Sequence, residues 1–537
     1  MNIKKIFSLL LFIAILTGCS DSAEPEDVEL DEEQLANLNE TGFPIVDEQI
    51  TLDIFAGKSP ATNDDWNDVL IFNKYQEMTN IDINWEMVPV EGLSEKRNIR
   101  LAGDTLPDVF HSARFSFADL QTYGSQGMFI SLNDLIEDYA PNLSSLFESH
   151  PDVKKAITMP DGNIYSLPYL FDPEFTSVLV ASRPWIREDW LQQLEMDNPE
   201  TMEEYYQFLK AVKETDLNGN GEADEIPFGG TSMARLTNWL KGSFGLQNKG
   251  MKHGYVDMDP NEEQLRFFPI ADEYREMLEY INKLYSEGLI EENIYSIDTT
   301  QYLANASEGV YASTDYYSPD MLFGEEVGNK YIPANALEGP DGIREYSNIT
   351  SPVMQPGAFV ITSENENPAA TIRWADHFYG DEGAELFFMG IEGETFETDE
   401  EGNRDYVDEI ENNPDGLSME QAVSQYLTYP GGFYPALVKE EFFIGSENTE
   451  MSWDAVETLE PYMIEEVWPE FTFTDEEGKT MNTLGADMHK YVNEMTDKFV
   501  TGEVPFSEWD NYVETIKDMN LEKYMEIQQA AYERFKK

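Results

Sequence analysis

Oxygen-bearing side chains recur at alternate positions in one short stretch of this 537-residue chain. Asp216, Asn218 and Asn220 are spaced by two, Gly221 follows, and Glu222, Asp224 and Glu225 lead to Pro227. Ca²⁺ is a hard cation that takes about 6–8 oxygens, and a tight glycine turn lets alternate residues converge on it. The pattern matches the front half of an EF-hand loop. Pro227 stands where such a loop carries its bidentate glutamate. Asp224 and Glu225 are therefore the candidates for the missing carboxylates, and Glu222 for a backbone carbonyl. The expected set is Asp216, Asn218, Asn220, Glu222, Asp224 and Glu225 around a structural Ca²⁺, since nothing nearby is suited to activate water. An Asn-Gly-rich turn without an ion is the competing reading.

Catalytic patterns fail in turn. Gly57-Lys58-Ser59 lacks the glycine of a phosphate loop, because Leu52 occupies that position. His111, His150, His253, His377 and His489 form no HExxH pair, and no Gly-x-Ser-x-Gly elbow is present. With 105 acidic residues, any two could be named as a glycosidase pair, so naming them carries no information. The chain is expected not to be an enzyme.

Aromatic side chains beside glycine, proline or polar residues offer another chemistry. Trp66, Trp185, Trp239, Tyr316-Tyr317 and Phe433-Tyr434 fit this description. Sugar rings stack their apolar faces on such side chains, while carboxylates, amides and guanidinium groups bond the hydroxyls. For any one of them, core packing is the commoner role. Arg114 lies just past an expected strand end, where α/β sheets place their ligand clefts. A structural ion pair is the alternative for it.

The address is written at the start. Lys4 and Lys5 precede an apolar run from Ile6 to Leu16, too short to be a resident membrane span. Leu16-Thr17-Gly18-Cys19 then resembles a bacterial lipobox, with the sole cysteine of the chain at the lipidation position. A signal peptide cut elsewhere is the alternative. Residues 1–18 are thus expected to be removed and Cys19 to anchor the chain outside the cytoplasm. Residues 19–49, rich in unpaired acids, are expected to be an extended tether. The net charge of −71 disfavours nucleic acid and anionic membrane surfaces as partners. It suits a saline or alkaline medium, where salt shortens the range of self-repulsion; a merely acidic secreted protein is the alternative.

These groups need elements to hold them. Ile50, Leu52, Ile54 and Ala56 alternate as in a strand, helical spacing follows from Trp66 to Tyr75, and Ile81 to Met87 alternates again. Strand, helix, strand within about 40 residues predicts a βαβ unit and a parallel sheet. Ser177 to Ala181 reads as a short strand and Ile186 to Leu194 as the opening of a helix. Further helices are expected at 202–214, 271–288, 368–379, 484–500 and from 508 onward. The length calls for more than one domain.

The order of features resembles the extracellular solute-binding proteins of ABC importers, in the sugar and oligosaccharide group, especially large lipoproteins of Gram-positive bacteria. The resemblance rests on Leu101-Ala102-Gly103-Asp104-Thr105-Leu106-Pro107-Asp108-Val109, Asp161 to Pro168, Arg187 to Leu191, Asp216 to Pro227, Gly390 to Gly393, and Thr501 to Tyr532. It implies a two-lobed α/β fold of the periplasmic-binding-protein type (class II) with a hinge and a central cleft. By similarity to maltodextrin-type binders, the first lobe is 50–175 plus 308–352 and the second is 176–307 plus 353–537. Crossings would then fall near 175, 307 and 352. The resemblance implies that Phe110, His111, Ser112, Arg114, Asp315, Tyr316 and Tyr317 line the cleft. With the exposed-looking aromatics, the candidate ligand set is Trp66, His111, Arg114, Trp239, Tyr316, Tyr317 and Tyr434. The implied function is a monomeric carrier that passes an oligosaccharide to a membrane permease. A surface polysaccharide-degrading enzyme, an adhesive lipoprotein and a peptide carrier are the alternatives.

Overall fold

The computed structural model describes residues 30, 32–103, 105–180, 182–260, 262–414 and 416–537. The signal segment 1–18 and Cys19 lie outside the described residues.

Two sheets organise the molecule. In chain order the strands are β1 (Ile50–Lys58), β2 (Ile81–Pro89), β3 (Val109–Phe115), β4 (Leu167–Phe171), β5 (Arg183–Arg187), β6 (Ile226–Gly229), β7 (Tyr311–Tyr316), β8 (Tyr331–Pro333), β9 (Val353–Ile361) and β10 (Leu437–Val438). The first sheet has the order β10-β4-β9-β3-β1-β2 and the second β8-β5-β7-β6. The helices used below are α1 (Glu32–Asn37), α2 (Leu70–Thr79), α3 (Phe117–Ser125), α4 (Pro141–Ser149), α5 (Met233–Lys241), α6 (Pro368–Asp376), α7 (Asp475–Thr501) and α8 (Leu521–Phe535).

The expected βαβ unit forms. β1 pairs in parallel with β2 from Ile50↔Ile81 and with β3 at Ile54↔Val109. The connecting helix α2 buries Ile71, Phe72 and Tyr75 and ends at Asn80, whose φ of 60° supplies a left-handed cap. Apolar side chains cover both faces of the first sheet. Ile54, Phe359 and Trp374 belong to one cluster, and Phe55, Phe110 and Phe129 to the other. Full burial of a side chain such as Phe359 stabilises by about 1.5–3 kcal/mol. The second sheet packs Ile186, Phe228 and Ala312 against Trp190, Trp239 and Met277.

Lobe membership differs from the sequence expectation. β7 and β8 belong to the second sheet, so 308–352 lies in the second lobe rather than the first. β9 and β10 belong to the first sheet, so the chain after 353 returns to the first lobe before ending in the second. The reason is pairing. β9 runs antiparallel to both β3 and β4 and fills the gap between them. β7 is buried along its whole length between β5 and β6. The crossings lie between β4 and β5, between β8 and β9, and after β10, and no crossing occurs near 307.

The described part of the expected tether is also folded. α1 opens it, and a turn brings Asn39 N–H to Ile45 O at 2.9 Å. Ile45 N–H donates to Thr79 O at 3.0 Å, and Ile45 and Val46 are buried. Phe43 meets the rings of Tyr75 and His377, while Arg373 donates to Asn39 O and Gly42 O. Three apolar residues near the end of the acidic run are enough to dock it.

Smaller differences concern local elements. Thr176–Val180 is helical rather than a strand, and the strand falls at Arg183–Arg187, a few residues later than the alternation predicts. α7 begins nine residues before the expected 484, at a capping box formed by Thr474 and Glu477. The final helical stretch breaks at Asn520, whose φ is 69°.

Candidate functional site

β3 leaves the first sheet through an irregular turn. Its pairing with β9 shifts register between Gly357 and Phe359. Ser112 and Arg114 have φ of 50° and 56°, and Phe433 has φ of 72°. Left-handed backbone at a non-glycine residue costs on the order of 1–3 kcal/mol and concentrates at functional sites. Here two of these residues meet. The Arg114 guanidinium lies 3.5 Å from the Phe433 ring centroid. Gly57 is required beside them, because a Cβ there would sit 2.3 Å from Ser112 O. Tyr169 on β4 packs against Tyr434, whose hydroxyl donates to the Tyr169 oxygen at 3.4 Å.

β7 presents the facing group from the second lobe. Asp315 is fully buried and accepts from Ser182 Oγ at 2.5 Å. Its Oδ2 has no partner among the described residues, and Arg235 on α5 approaches its Oδ1 at 3.8 Å. Burial pushes the Asp315 carboxyl up to about 6, against the pull of Arg235. The Arg235 guanidinium also lies 5.1 Å from the Tyr316 ring and 5.8 Å from the Tyr317 ring. Burial raises the Tyr169 hydroxyl, and a smaller contribution comes from Tyr317 of the other lobe. The hinge lies beside this cluster. Arg183 donates to Ser177 O and Oγ at 2.5 and 2.6 Å, and the Ser318 and Thr449 hydroxyls meet at 2.8 Å.

Beyond β3 the cleft widens into a cavity of about 660 Å³. α3 of the first lobe forms one wall, with Phe117 and Gln121. The second lobe contributes Lys252, Tyr255, Glu470 and Gln528. Side chains bridge the lobes at its edges. Thr122 Oγ1 donates to Asp475 at 3.2 Å, Thr472 Oγ1 to Thr158 O at 3.3 Å, and Lys252 Nζ to Met354 O at 3.5 Å.

The sequence-derived ligand residues divide. Arg114 stacks on Phe433, and Tyr316 and Tyr317 pack on each other near Arg235, Tyr316 being mostly buried. Trp66, His111, Trp239 and Tyr434 lie in the cores instead. Trp66 and His111 pack with each other and with Trp85, and burial pushes His111 down to about 3, so it is neutral. Trp239 packs on Tyr205 and donates to Asn335 O at 3.3 Å. Tyr434 is enclosed by Tyr169, Phe387 and Phe388. Of the pair Phe433-Tyr434, the outward ring is Phe433. Tyr169, Arg235, Gln121 and Gln528 carry no spacing signal in the sequence, because tertiary pairing alone brings them to the cleft.

The Asp216 loop sits at the entry to β6. Gly219 and Gly221 have φ of 77° and 97°, which close the turn. Asp216 accepts from Gly219 N–H at 2.7 Å and Gly221 N–H at 2.8 Å. Asn220 Oδ1 accepts from Glu222 N–H at 2.8 Å. Asp224 receives the side-chain amides of Asn218 and Asn220. Glu225 is buried, its Oε1 accepting from Leu217 and Asn218 N–H at 2.6 and 2.7 Å. Its Oε2 has no partner among the described residues. Among the described residues, no three His, Cys, Asp or Glu side chains are grouped to hold a metal. Amide and backbone oxygens would have to complete a set around Asp216 and Glu225. The donors are all hard oxygens and one buried carboxylate oxygen is unused, which fits Ca²⁺ rather than a softer ion.

Two α/β lobes, joined by three crossings and separated by a cleft with side chains from both, define a solute-binding architecture. Residues 71–393 match the model of the bacterial extracellular solute-binding proteins, and the chain belongs to that family of binding proteins, not enzymes. It is 28% identical over 553 residues to the fructooligosaccharide ABC transporter substrate-binding protein FusA of Streptococcus pneumoniae serotype 4, spanning 99% of this chain and 98% of that one. The structure of FusA with kestose superposes with a TM-score of 0.73 at 25% identity, covering 91% of this chain and 99% of that one. A FusA variant described as an EF-hand mutant, in complex with fructo-nystose, superposes equally well. The polygalacturonan/rhamnogalacturonan-binding protein YtcQ of Bacillus subtilis is 26% identical over 270 residues, 49% of this chain and 50% of that one. An HMO-binding, ABC-transporter-associated solute-binding protein of Bifidobacterium longum infantis shares the fold, with a TM-score of 0.77 at 21% identity, covering 91% of this chain and 99% of that one. No helix among the described residues is long and apolar enough to cross a membrane.

Proposed function

We propose that this chain captures an oligosaccharide between its lobes and delivers it to the permease of an ABC importer. The observation that carries the reading is the cleft itself. Arg114 stacks on Phe433 in the first lobe, Arg235 gathers with Tyr316 and Tyr317 in the second, and Tyr317 acts electrostatically on Tyr169 across the lobes. Aromatic faces for sugar rings and guanidinium donors for hydroxyls then come from both sides of a hinge. A ligand that touches both lobes favours the closed state by its differential contacts, and a permease can read that state. FusA, named for fructooligosaccharides, makes kestose the first compound to test. Titration calorimetry with kestose should give saturable binding. Heats that never saturate for kestose or for a panel of other neutral and uronate oligosaccharides would refute a sugar carrier.

We further propose that Cys19 is lipidated and holds a monomeric chain at the outer face of the cell membrane. Cys19→Ser should release the protein into the medium, and continued membrane association would count against the anchor. Ca²⁺ is the ion proposed for the Asp216 loop, with Asp216, Asn218, Asn220, Glu222 and Glu225 as holders. When bound it would supply positive charge among carboxylates. Asp224 would orient the Asn218 and Asn220 amides. β6 begins at Ile226 and pairs with β7 at Phe228↔Ser313, so order in the loop would be passed to the strand that carries Asp315 and Tyr316.

A further inference from the structure

We propose that Asn218 and Asn220 are deamidation sites held in check by the Asp216 carboxylate, which keeps the two glycine nitrogens that would attack them engaged as hydrogen-bond donors. The proposal rests on neither the oligosaccharide reading nor the calcium reading. The chain has two Asn-Gly dipeptides, and they stand back to back as Asn218-Gly219-Asn220-Gly221. An asparagine side chain readily reaches the backbone that follows it. Glycine is the least hindered neighbour for it, having no Cβ to block the approach. In the reaction the glycine nitrogen loses its proton to solvent base and bonds to the asparagine Cγ. The Cγ–Nδ2 bond breaks, and the side-chain nitrogen takes a proton from solvent and leaves as ammonia. A cyclic imide remains. Water then opens it at either carbonyl, giving aspartate or isoaspartate. The sum is one water consumed and one ammonia released, with nothing oxidised or reduced.

All four residues are exposed to water. What the loop withholds is the nucleophile. Gly219 N–H donates to Asp216 Oδ1 at 2.7 Å and Gly221 N–H to Asp216 Oδ2 at 2.8 Å, one oxygen for each site. The asparagine side chains are held as well. Asn218 Oδ1 accepts from Asn220 N–H at 2.9 Å, and Asn220 Oδ1 from Glu222 N–H at 2.8 Å. Both amide nitrogens donate to Asp224 Oδ1, at 3.1 and 2.9 Å. The two sets of bonds have opposite effects on the chemistry. Donors on an amide oxygen stabilise the charge that develops there during attack, so the bonds to Oδ1 offer no protection of their own. A glycine nitrogen tied to a carboxylate must break that bond before it can turn toward Cγ, and a hydrogen bond to a charged group is one of the stronger kind. Asp216 therefore carries the restraint. Its failure would have a structural consequence. Isoaspartate adds a carbon to the backbone and shifts the residues on either side of it. Glu225 Oε1 accepts from Leu217 and Asn218 N–H at 2.6 and 2.7 Å just ahead of β6, and that closure spans both sites or abuts them.

The test is tandem mass spectrometry of the tryptic peptide Glu214–Arg235, which carries both sites. Full-length protein is first kept in mildly alkaline buffer with EGTA, so that no bound ion contributes. Asp216→Ala should deamidate at Asn218 and Asn220 about tenfold faster than wild type, the rate equivalent of one hydrogen bond to a charged group at each site. Asp224→Ala frees the side-chain amides but leaves the glycine nitrogens held, and should stay within about threefold of wild type. Equal acceleration in the two variants would overturn the role of Asp216, because a general loosening of the loop would produce it. An unchanged or slower rate in Asp216→Ala would overturn it outright. Should that variant melt early, wild-type protein supplies the second measurement. Its rate at both sites in guanidinium chloride, where the loop bonds are gone, should exceed its native rate by more than about tenfold. Equal native and denatured rates would overturn the protection.

Discussion

Asp376 in the first lobe and Asp315 in the second are the same side chain in the same degree of burial, yet they are finished differently. Burial pushes both carboxyls up to about 6. Asp376, at the end of α6, accepts from Asn142 N–H at 3.1 Å, Leu143 N–H at 2.9 Å and Asn142 Nδ2 at 3.0 Å. It thereby joins α6 to the first turn of α4, and both of its oxygens are used. Asp315 has one hydroxyl on one oxygen and a distant guanidinium, and its other oxygen is unpartnered among the described residues. A completed set of bonds makes a joint, whereas an incomplete one leaves a buried oxygen uncompensated. The incomplete one lies on β7, beside Tyr316.

The contrast can be broken by substitution. Asp376→Ala should be the most damaging change, about 3 kcal/mol in denaturant unfolding, because it strands two buried backbone donors. Its ligand affinity should stay at wild type; a matching loss of affinity would show that the two regions are not separable. Calcium removal comes next. If the Asp216 loop binds the ion, free calcium one hundredfold above Kd adds about 2.7 kcal/mol, and EGTA should lower the melting temperature accordingly. An unchanged melt after full chelation would remove the ion from the loop. Tyr317→Ala should weaken oligosaccharide binding about tenfold, about 1.4 kcal/mol, with little change in melting.

The finest test uses pH. Asp315 has a folded-state value raised above its unfolded one, so its contribution to stability is full below about pH 4 and is lost as pH rises through about 6. Asp315→Asn should flatten that part of the pH dependence of the unfolding midpoint. A variant with the wild-type slope between those limits would show that the carboxyl does not titrate on folding.

Much of the fold was legible in the chain. The βαβ opening followed from alternation at Ile50 to Ala56 and Ile81 to Met87, and β1 and β2 pair as that alternation requires. Lobe membership after 308 was not legible. β7 carries Ser313, Thr314 and Asp315 among apolar residues and β9 carries Gln355 and Pro356, and nothing local says which sheet each will complete. The site was half legible. Arg114 was suggested by a strand end and Tyr317 by an aromatic pair, but Trp66, suggested by the same aromatic pattern, and His111, suggested by the resemblance, are buried against each other. An aromatic residue's neighbours in sequence do not determine which face of a sheet it meets. Gln121 and Gln528 lie 407 positions apart in the chain and line one cavity only through folding.

The docked segment near residue 40 sets where a pull on the chain would be felt. Force applied ahead of α1 enters through Asn39, Ile45 and Arg373, all fastened to α2 and α6 of the first lobe. None of these fastenings touches the crossings between the sheets. The load path therefore ends in the first lobe, and the crossings stay slack. Whatever holds the chain by that end grips the first lobe alone and leaves the second lobe out of the load path.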